Sequence, residues 1–357
     1  MENGEEMELI RELLYNSGEP LSEFYRWLHK AWAGFSVPPV FLDLMIQFAV
    51  AAAVFGFVAV NALWIIYYER KFSAKLQIRI GPNRVGPLGL LQTVADTVKL
   101  LIKEDINPSK VDRVVFILAP GIVFLGTFLT MLVIPFGNGL IAADLSIGIL
   151  YILAVSGLAV IGLLAGGWAS NNKYSLMGGM RSAAQIVAYE IPVLVVILGI
   201  VMLAGTMKMG GIVEAQAGYR WFVIYQPIAF LIFLIAANAE INRAPFDLPE
   251  AESELVSGFI TEYSGMKFAF FFLAEYTNLF IVSAVAVTLF LGGWEGPFFP
   301  PFVWFIIKTY AVVTVLMWMR WTFPRIRVDH LMQFSWKYLL PIALVNLLVT
   351  AIVIKFI

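Results

Sequence analysis

Apolar positions along this chain come in long unbroken runs rather than in short alternating patterns. Eight stretches, at about 41–68, 114–134, 146–168, 184–206, 221–242, 266–291, 301–321 and 336–356, are predominantly apolar. Each is near the roughly 20 residues that a helix needs to cross a hydrocarbon core. The pattern predicts an all-α integral membrane protein with eight transmembrane helices. The fifth and seventh stretches carry Glu240 and Lys308, so they rest on the apolar residues around those charges. Two segments outside the spans show helical periodicity. In the first, Phe24, Trp27, Leu28, Ala31, Trp32 and Phe35 share one face, with Glu23, Arg26, His29 and Lys30 on the other. That fits an amphipathic helix lying in the membrane interface, or equally a terminal extension that caps the bundle. In the second, 88–103, Leu88, Leu91, Val94, Ala95, Val98, Leu101 and Ile102 oppose Gln92, Asp96, Lys99 and Lys103. The chain thus divides into an N-terminal extension, 1–40, and a membrane domain, 41–357.

Composition agrees with a bilayer as the solvent. Of 357 residues, 60% are hydrophobic and 14% charged, where soluble domains run nearer a quarter charged. The net charge of −1 leaves no basic surplus to neutralise phosphates, which argues against nucleic acid as a partner. With no cysteine, the chain offers no disulfide, thiolate metal site or iron–sulfur ligand. Lys and Arg set the orientation. Segment 69–113 carries nine of them, loops 135–145 and 292–300 carry none, and 322–335 carries Arg325 and Arg327. Odd-numbered loops are therefore expected on the cytoplasmic side and both termini on the periplasmic side. His29 and His330 then fall on opposite sides, so no haem iron can take both. No signal-peptide pattern is seen at the front.

The candidate chemistry lies in charges at membrane depth and in the cytoplasmic loops. Ionisable groups inside a membrane are costly and mark functional sites by default. Glu190 falls inside the fourth span, two residues before Pro192. A proline there leaves the carbonyl of Ala188 without its usual partner, a break expected to admit water. Glu240 lies near the cytoplasmic end of the fifth span and Glu275 about ten residues into the sixth. A buried carboxyl with one hydrogen-bond partner, or one reaching out from a helix end, is the plain structural alternative, and it fits Glu240 better than Glu190 or Glu275. Loop 243–265 is the densest in charge. Pro249 is placed to start a helix, with Glu250, Glu252 and Glu254 in its first turn and a half. Asp247, Glu250, Glu252, Glu254 and Glu262 face few cations, so shared protons and raised, coupled pKa values are expected if they converge. Residues 80–87, Ile-Gly-Pro-Asn-Arg-Val-Gly-Pro, form a turn-rich stretch. Without a following Gly-Lys-Ser/Thr, it is no phosphate cradle.

These residues carry a resemblance. The run Gly167-Trp168-Ala169-Ser170-Asn171-Asn172-Lys173-Tyr174, the string Ala239 to Glu252 with Pro245-Phe246-Asp247-Leu248-Pro249-Glu250-Ala251-Glu252 at its centre, and Thr261 to Lys267 are its core. With them go Glu69-Arg70-Lys71, Ile80 to Pro87, Arg181 with Ala184-Gln185, Tyr189-Glu190, Pro324 to Asp329 and Trp336-Lys337. Over roughly residues 40–357 the chain resembles the membrane component of respiratory complex I that joins the hydrophilic arm to the membrane arm, called H in bacteria and ND1 in mitochondria. That family has eight spans with the N-terminus outside. The resemblance implies a quinone-access chamber along Arg70, Asp96 and Lys99, with Phe246 and Arg325 near it. It also implies an acidic proton path through Glu190, Glu240, Glu250, Glu252, Glu254, Glu262 and Glu275. Residues 1–40 depart from the family pattern.

On this analogy the chain binds no cofactor or metal of its own. The substrate is a quinone, either ubiquinone or menaquinone. Flavin and iron–sulfur clusters belong to partner subunits of the hydrophilic arm, which pack on the cytoplasmic loops. Small and antiporter-like membrane subunits and lipid are the other neighbours, in the inner membrane of a bacterium. The chain is then a non-redox subunit of a proton-translocating NADH:quinone oxidoreductase, with no catalysis in isolation. The rival from the same class is the homologous component of a membrane-bound hydrogenase, or of a quinone reductase fed by another donor. A stand-alone ion-coupled transporter built around the proline-broken fourth span is a rival of another class. The absence of an internal repeat weighs against it.

Overall fold

A computed structural model describes the backbone of residues 39–249 and 252–356, and all of their side chains except those of 39, 40, 42, 43, 252 and 253. The amphipathic segment around Phe24–Phe35 and the residue Glu250 lie outside the described residues. Every regular element among the described residues is helical. The long helices are α1 (Pro39–Leu76), α3 (Arg113–Met131), α4 (Gly148–Ala169), α5 (Lys173–Ala204), α10 (Gly265–Phe290) and α11 (Pro301–Thr322). Shorter elements connect them: α2 (Gln92–Ile102), α6 (Met209–Ala215), α7 (Phe222–Tyr225), α8 (Pro227–Glu240) and α9 (Glu252–Leu255). Last come α12 (Val328–Phe334), which passes through a π-helical turn, Ser335–Leu339, into α13 (Leu340–Phe356).

Among the described residues, seven helices are long and apolar enough to cross a membrane: Leu44–Leu76, Arg113–Met131, Gly148–Ala169, Lys173–Ala204, Gly265–Phe290, Pro301–Thr322 and Val328–Phe356. The fifth apolar stretch is interrupted. Gln226 leaves helical geometry (φ −132, ψ 56) immediately before Pro227, so the stretch splits into α7 and α8. Proline has no N–H to continue the ladder and disfavours helix at the residue before it. The 14 residues of α8 rise about 21 Å, short of a ~30 Å core. Hydropathy averaged over 221–242 does not register this break. The segment expected to be helical over 88–103 starts only at Gln92. Before it, Leu88 (φ 54) and Gly89 (φ 79) take left-handed geometry in a tight turn. Of the helix expected from Pro249, the described residues show Glu252–Leu255; residues 250 and 251 lie outside them.

α10 is the pillar of the bundle. Every residue from Leu279 to Phe290 is buried, with α1, α3, α8 and α11 around it. A helix apolar on all sides belongs in such a position. α3 packs along α4, and α4 along α5, through small residues that let backbones approach, as is common between membrane helices. A Cβ on Gly162 would stand 2.4 Å from Val123 Cγ2, and one on Gly167 2.6 Å from the Ser175 carbonyl. Gly178 on α5 holds the loop turn Gly258–Ile260: a Cβ there would lie 2.7 Å from both Gly258 Cα and Phe259 N. Neither backbone atom can swing aside.

Gly178→Ala should therefore cost about 1–3 kcal/mol by overpacking. It would show as a lowered thermal midpoint of the purified protein in detergent, whereas Gly121→Ala, with open space around its Cβ, should leave the midpoint unchanged.

Candidate functional site

The loop that follows α8 is shaped by α5. Gln185, buried on α5, points its amide nitrogen at three acceptors: the carbonyls of Ala239 (2.8 Å) and Phe246 (2.7 Å) and the Asn242 Oδ1 (3.1 Å). Asn242, in left-handed geometry (φ 53), donates to Ser182 Oγ at 3.2 Å. Asn238 closes the turn on the Ala244 carbonyl, and Ile326 N–H donates to the Pro245 carbonyl at 3.1 Å. This scaffold drives Arg243 inward.

Arg243, with 2% of its side chain exposed, sits at the meeting point of four elements. Its Nη1 donates to Glu69 Oε2 at 3.0 Å and its Nε to Glu275 Oε1 at 2.9 Å. Its guanidinium lies 4.5 Å above the Tyr276 ring. Arg320 of α11 pairs with the second oxygen of Glu69. Two cations and two anions thus balance in a cluster whose centre, Glu69 and Arg243, is buried while Arg320 and Glu275 stay partly exposed. One residue after Glu69, Arg70 faces the other way and binds Asp96 of α2 at 2.6 Å. Asp96 also accepts from Gln92 (3.2 Å) and lies 4.0 Å from Lys99. The half-exposed Arg70–Asp96–Lys99 group and the buried quartet therefore abut along α1.

Glu190 and Glu240 behave differently. Neither has a hydrogen bond or ion pair to a described protein group, and Glu190 is the charged neighbour of Glu240. The break expected beside Glu190 is closed by protein. Ser335 Oγ donates to the Ala188 carbonyl at 2.6 Å, replacing the amide that Pro192 lacks, and Tyr189 donates to the Leu331 carbonyl at 3.0 Å. Two cavities share Glu240, Asn278 and Thr127 in their walls. One, about 60 Å³, also touches Glu275 and Asn242. The other, about 50 Å³, continues to Thr130 and Ser156.

The carboxylates of the loop do not form one repelling cluster among the described residues. Glu254 is held below the usual carboxylate range, first by a hydrogen bond from Arg181 (2.6 Å), with the Arg325 charge adding to it. The raised value expected for it is thus reversed by two arginines that sequence spacing does not bring near. Glu262 accepts from Asn172 Nδ2 at 2.7 Å. The side chain of Glu252, like Glu250, is outside the described residues. Phe246 is buried against Tyr189 (centroids 5.4 Å apart), and Arg325 lies 3.8 Å from Glu254. Lys308 donates to the carbonyls of Leu291, Gly293 and Glu295 and lies over the Trp221 ring, closing the end of α10. Among the described residues, no group of His, Asp or Glu is arranged to hold a metal ion.

Sequence reasoning about site residues missed Glu69, Arg320 and Asn278. Glu69 stands next to Arg70 at the end of an apolar run, which is a usable signal. Arg320 reads only as an orientation charge at a span edge. Asn278, one turn after Glu275, carries no signal in one sequence.

The sequence profile of the NADH dehydrogenase family matches residues 49–351. The chain belongs to this family. A relative from Carboxydothermus hydrogenoformans, named as an NADH-quinone oxidoreductase H subunit, is 52% identical over 316 residues, covering 87% of this chain and 90% of its own. A relative of the same name from Geobacillus kaustophilus is 53% identical over 320 residues, 88% of this chain and 96% of its own. That of Dehalococcoides mccartyi strain 195 is 54% identical over 297 residues, 83% of this chain and 84% of its own. The family match includes both charge groups, from Glu69 and Arg70 on α1 to Arg320 on α11.

Breaking the buried quartet should be expensive, because Glu275 is left without its cation and Glu69 keeps only Arg320. Arg243→Met is expected to cost about 3–5 kcal/mol, read as a large drop in thermal midpoint. Arg243→Lys should fall between, since an ammonium cannot reproduce the forked contacts to Glu69 and Glu275.

Proposed function

We propose that this chain is the membrane component of a proton-translocating NADH:quinone oxidoreductase that forms the quinone-access chamber and an acidic path linking quinone reduction to proton movement. The naming of its relatives as NADH-quinone oxidoreductase H subunits supports the parent enzyme. The observation that carries the coupling is the adjacency of Glu69 and Arg70. One belongs to the buried quartet, the other to the half-exposed Arg70–Asp96–Lys99 group. Reducing a quinone by two electrons either takes up two protons or leaves negative charge. Charge arising beside Arg70 and Asp96 competes for Arg70 and acts through one residue of helix on Glu69, and so on Arg243 and Glu275. Such an effect weakens where water reaches the charges and strengthens toward the buried Arg243.

In this reading the quinone headgroup meets Arg70, Asp96 and Lys99, with Phe246 and Arg325 bordering the chamber. Glu254, Glu262, Glu250 and Glu252 form its acidic approach, and Glu275, Glu240 and Glu190 lead inward. Glu240 and Glu190, having no counter-charge among the described residues, are free to take and release protons. Electrons come from partner subunits carrying flavin and iron–sulfur clusters, docked on the end of α1 that bears Arg70 and on loop 243–265 that bears Glu254. Eight crossings follow if α7 and α8 together make the fifth, with both termini on the periplasmic side of the inner membrane. Neighbouring small and antiporter-like membrane subunits receive the protons.

Purifying the tagged chain in mild detergent should bring with it an arm that oxidises NADH and an inhibitor-sensitive quinone reductase activity. Recovery with a nickel–iron hydrogenase subunit would reassign the parent enzyme. In the assembled complex, Glu240→Gln should abolish most proton translocation in proteoliposomes while assembly survives; normal pumping removes Glu240 from the path. Arg70→Ala or Asp96→Asn should raise the KM for quinone and leave NADH oxidation with an artificial acceptor intact. The opposite pattern contradicts the chamber assignment.

A further inference from the structure

We propose that Asn278 is a positioning residue: it holds a chain of water molecules that carries protons from Glu240 deeper into the bundle, toward Thr127, Thr130 and Ser156. This rests on the reading above and adds to it a direction and a carrier. The argument begins with the two cavities. They meet at Thr127, Glu240 and Asn278, and only one of them reaches Glu275. On α10 the second cavity extends to Val285, ten positions past Glu275, or about 15 Å along the axis. That is roughly half the hydrocarbon thickness. The glutamates alone do not cover this distance.

Volume and lining decide what fills the space. A water needs about 10–15 Å³ of such volume and two to four polar partners. Cavities of about 60 and 50 Å³ each have room for several waters. Polar partners are Glu275 and Asn242 in the first cavity, Glu240, Asn278 and Thr127 where the two meet, and Thr130 and Ser156 in the second, set among apolar side chains such as Ile197, Ile281 and Val285. An apolar void of the same size would stay dry.

The chemistry of these groups gives the chain a sense. Thr127, Thr130 and Ser156 spend their hydroxyl protons on their own helices, donating to the carbonyls of Phe124 (2.8 Å), Gly126 (2.9 Å) and Leu153 (2.9 Å). Toward the cavity they offer lone pairs only. A floor of acceptors orients water hydrogens toward itself and stabilises an excess proton. At the waist, Asn278 is half-buried and makes no hydrogen bond to a described protein group. Its amide has both donors and an acceptor, so it can hold a water on each side of Glu240. The amide takes no proton itself; the waters it holds do.

The test uses the assembled complex in liposomes, reading protons moved per electron pair alongside quinone reduction. Asn278→Leu keeps the side-chain size and removes every hydrogen-bonding group; it should lose most proton translocation while the KM for quinone stays at the wild-type value. Asn278→Ser, short and polar with room for an added water, should recover most of it. The proposal is overturned if Asn278→Leu pumps normally, or if Asn278→Ser is as poor as Asn278→Leu, which would make the role one of packing. Should Asn278→Leu fail to assemble, Thr130→Val reads the far cavity in its place, and normal pumping there is equally decisive against the proposal. Glu240→Gln separates the two layers. If it pumps normally, the acidic path itself is wrong; if it does not while Asn278→Leu does, only the water chain is.

Discussion

A guanidinium closed off from solvent has to find its counter-charges inside the protein, and around Arg243 that requirement ties the molecule together. Glu69, Arg243, Glu275 and Arg320 come from α1, the loop after α8, α10 and α11, elements spread over 251 positions of sequence. No two of these helices can slide relative to each other without separating charges in a medium that punishes separation. The scaffold beneath is equally specific. Gln185 spends its amide on three acceptors so that the loop turns inward at Arg243 rather than outward.

This arrangement divides the acidic residues into two kinds. Glu69, Glu275 and Glu254 are matched by arginines, and their role is bound to geometry. Glu190 and Glu240 are unmatched by any described group, and Glu240 borders open space. A carboxylate beside a cation gives up its charge less readily than one without. The fold thus places carboxylates held by arginines next to carboxylates with no such partner among the described residues. That juxtaposition is what a coupling element requires if a change at Arg70 is to be felt at Glu240.

Much of the fold is legible in the hydrophobic pattern, because lipid permits few alternatives to the helix. Seven apolar runs became helices near their expected positions. The fifth failed at Gln226-Pro227, where a local backbone rule overrides an average over twenty residues. At the site, individual acidic residues stood out by being expensive where they are, but their partners did not. Nothing in one sequence says that Arg181 reaches Glu254 across 73 positions, or that Arg320 turns inward to Glu69. Pro192 announced a missing backbone donor correctly, while the hydroxyl that replaces it lies 147 positions after Ala188. Charge type is local information; charge pairing is not.

The bond from Ser335 to Ala188 also makes one helix depend on another 147 positions away. α5 enters the membrane with a carbonyl that its own helix cannot satisfy, next to a glutamate. A backbone group unpaired in hydrocarbon costs several kcal/mol. The donor that relieves it sits at the start of the π-helical turn, on the last of the described helices to emerge. Until that helix docks, the middle of the bundle holds an unmet acceptor that water or a chaperone must serve. The last described helix is therefore a closing piece, since its Ser335 hydroxyl supplies the donor that the Ala188 carbonyl lacks in its own helix.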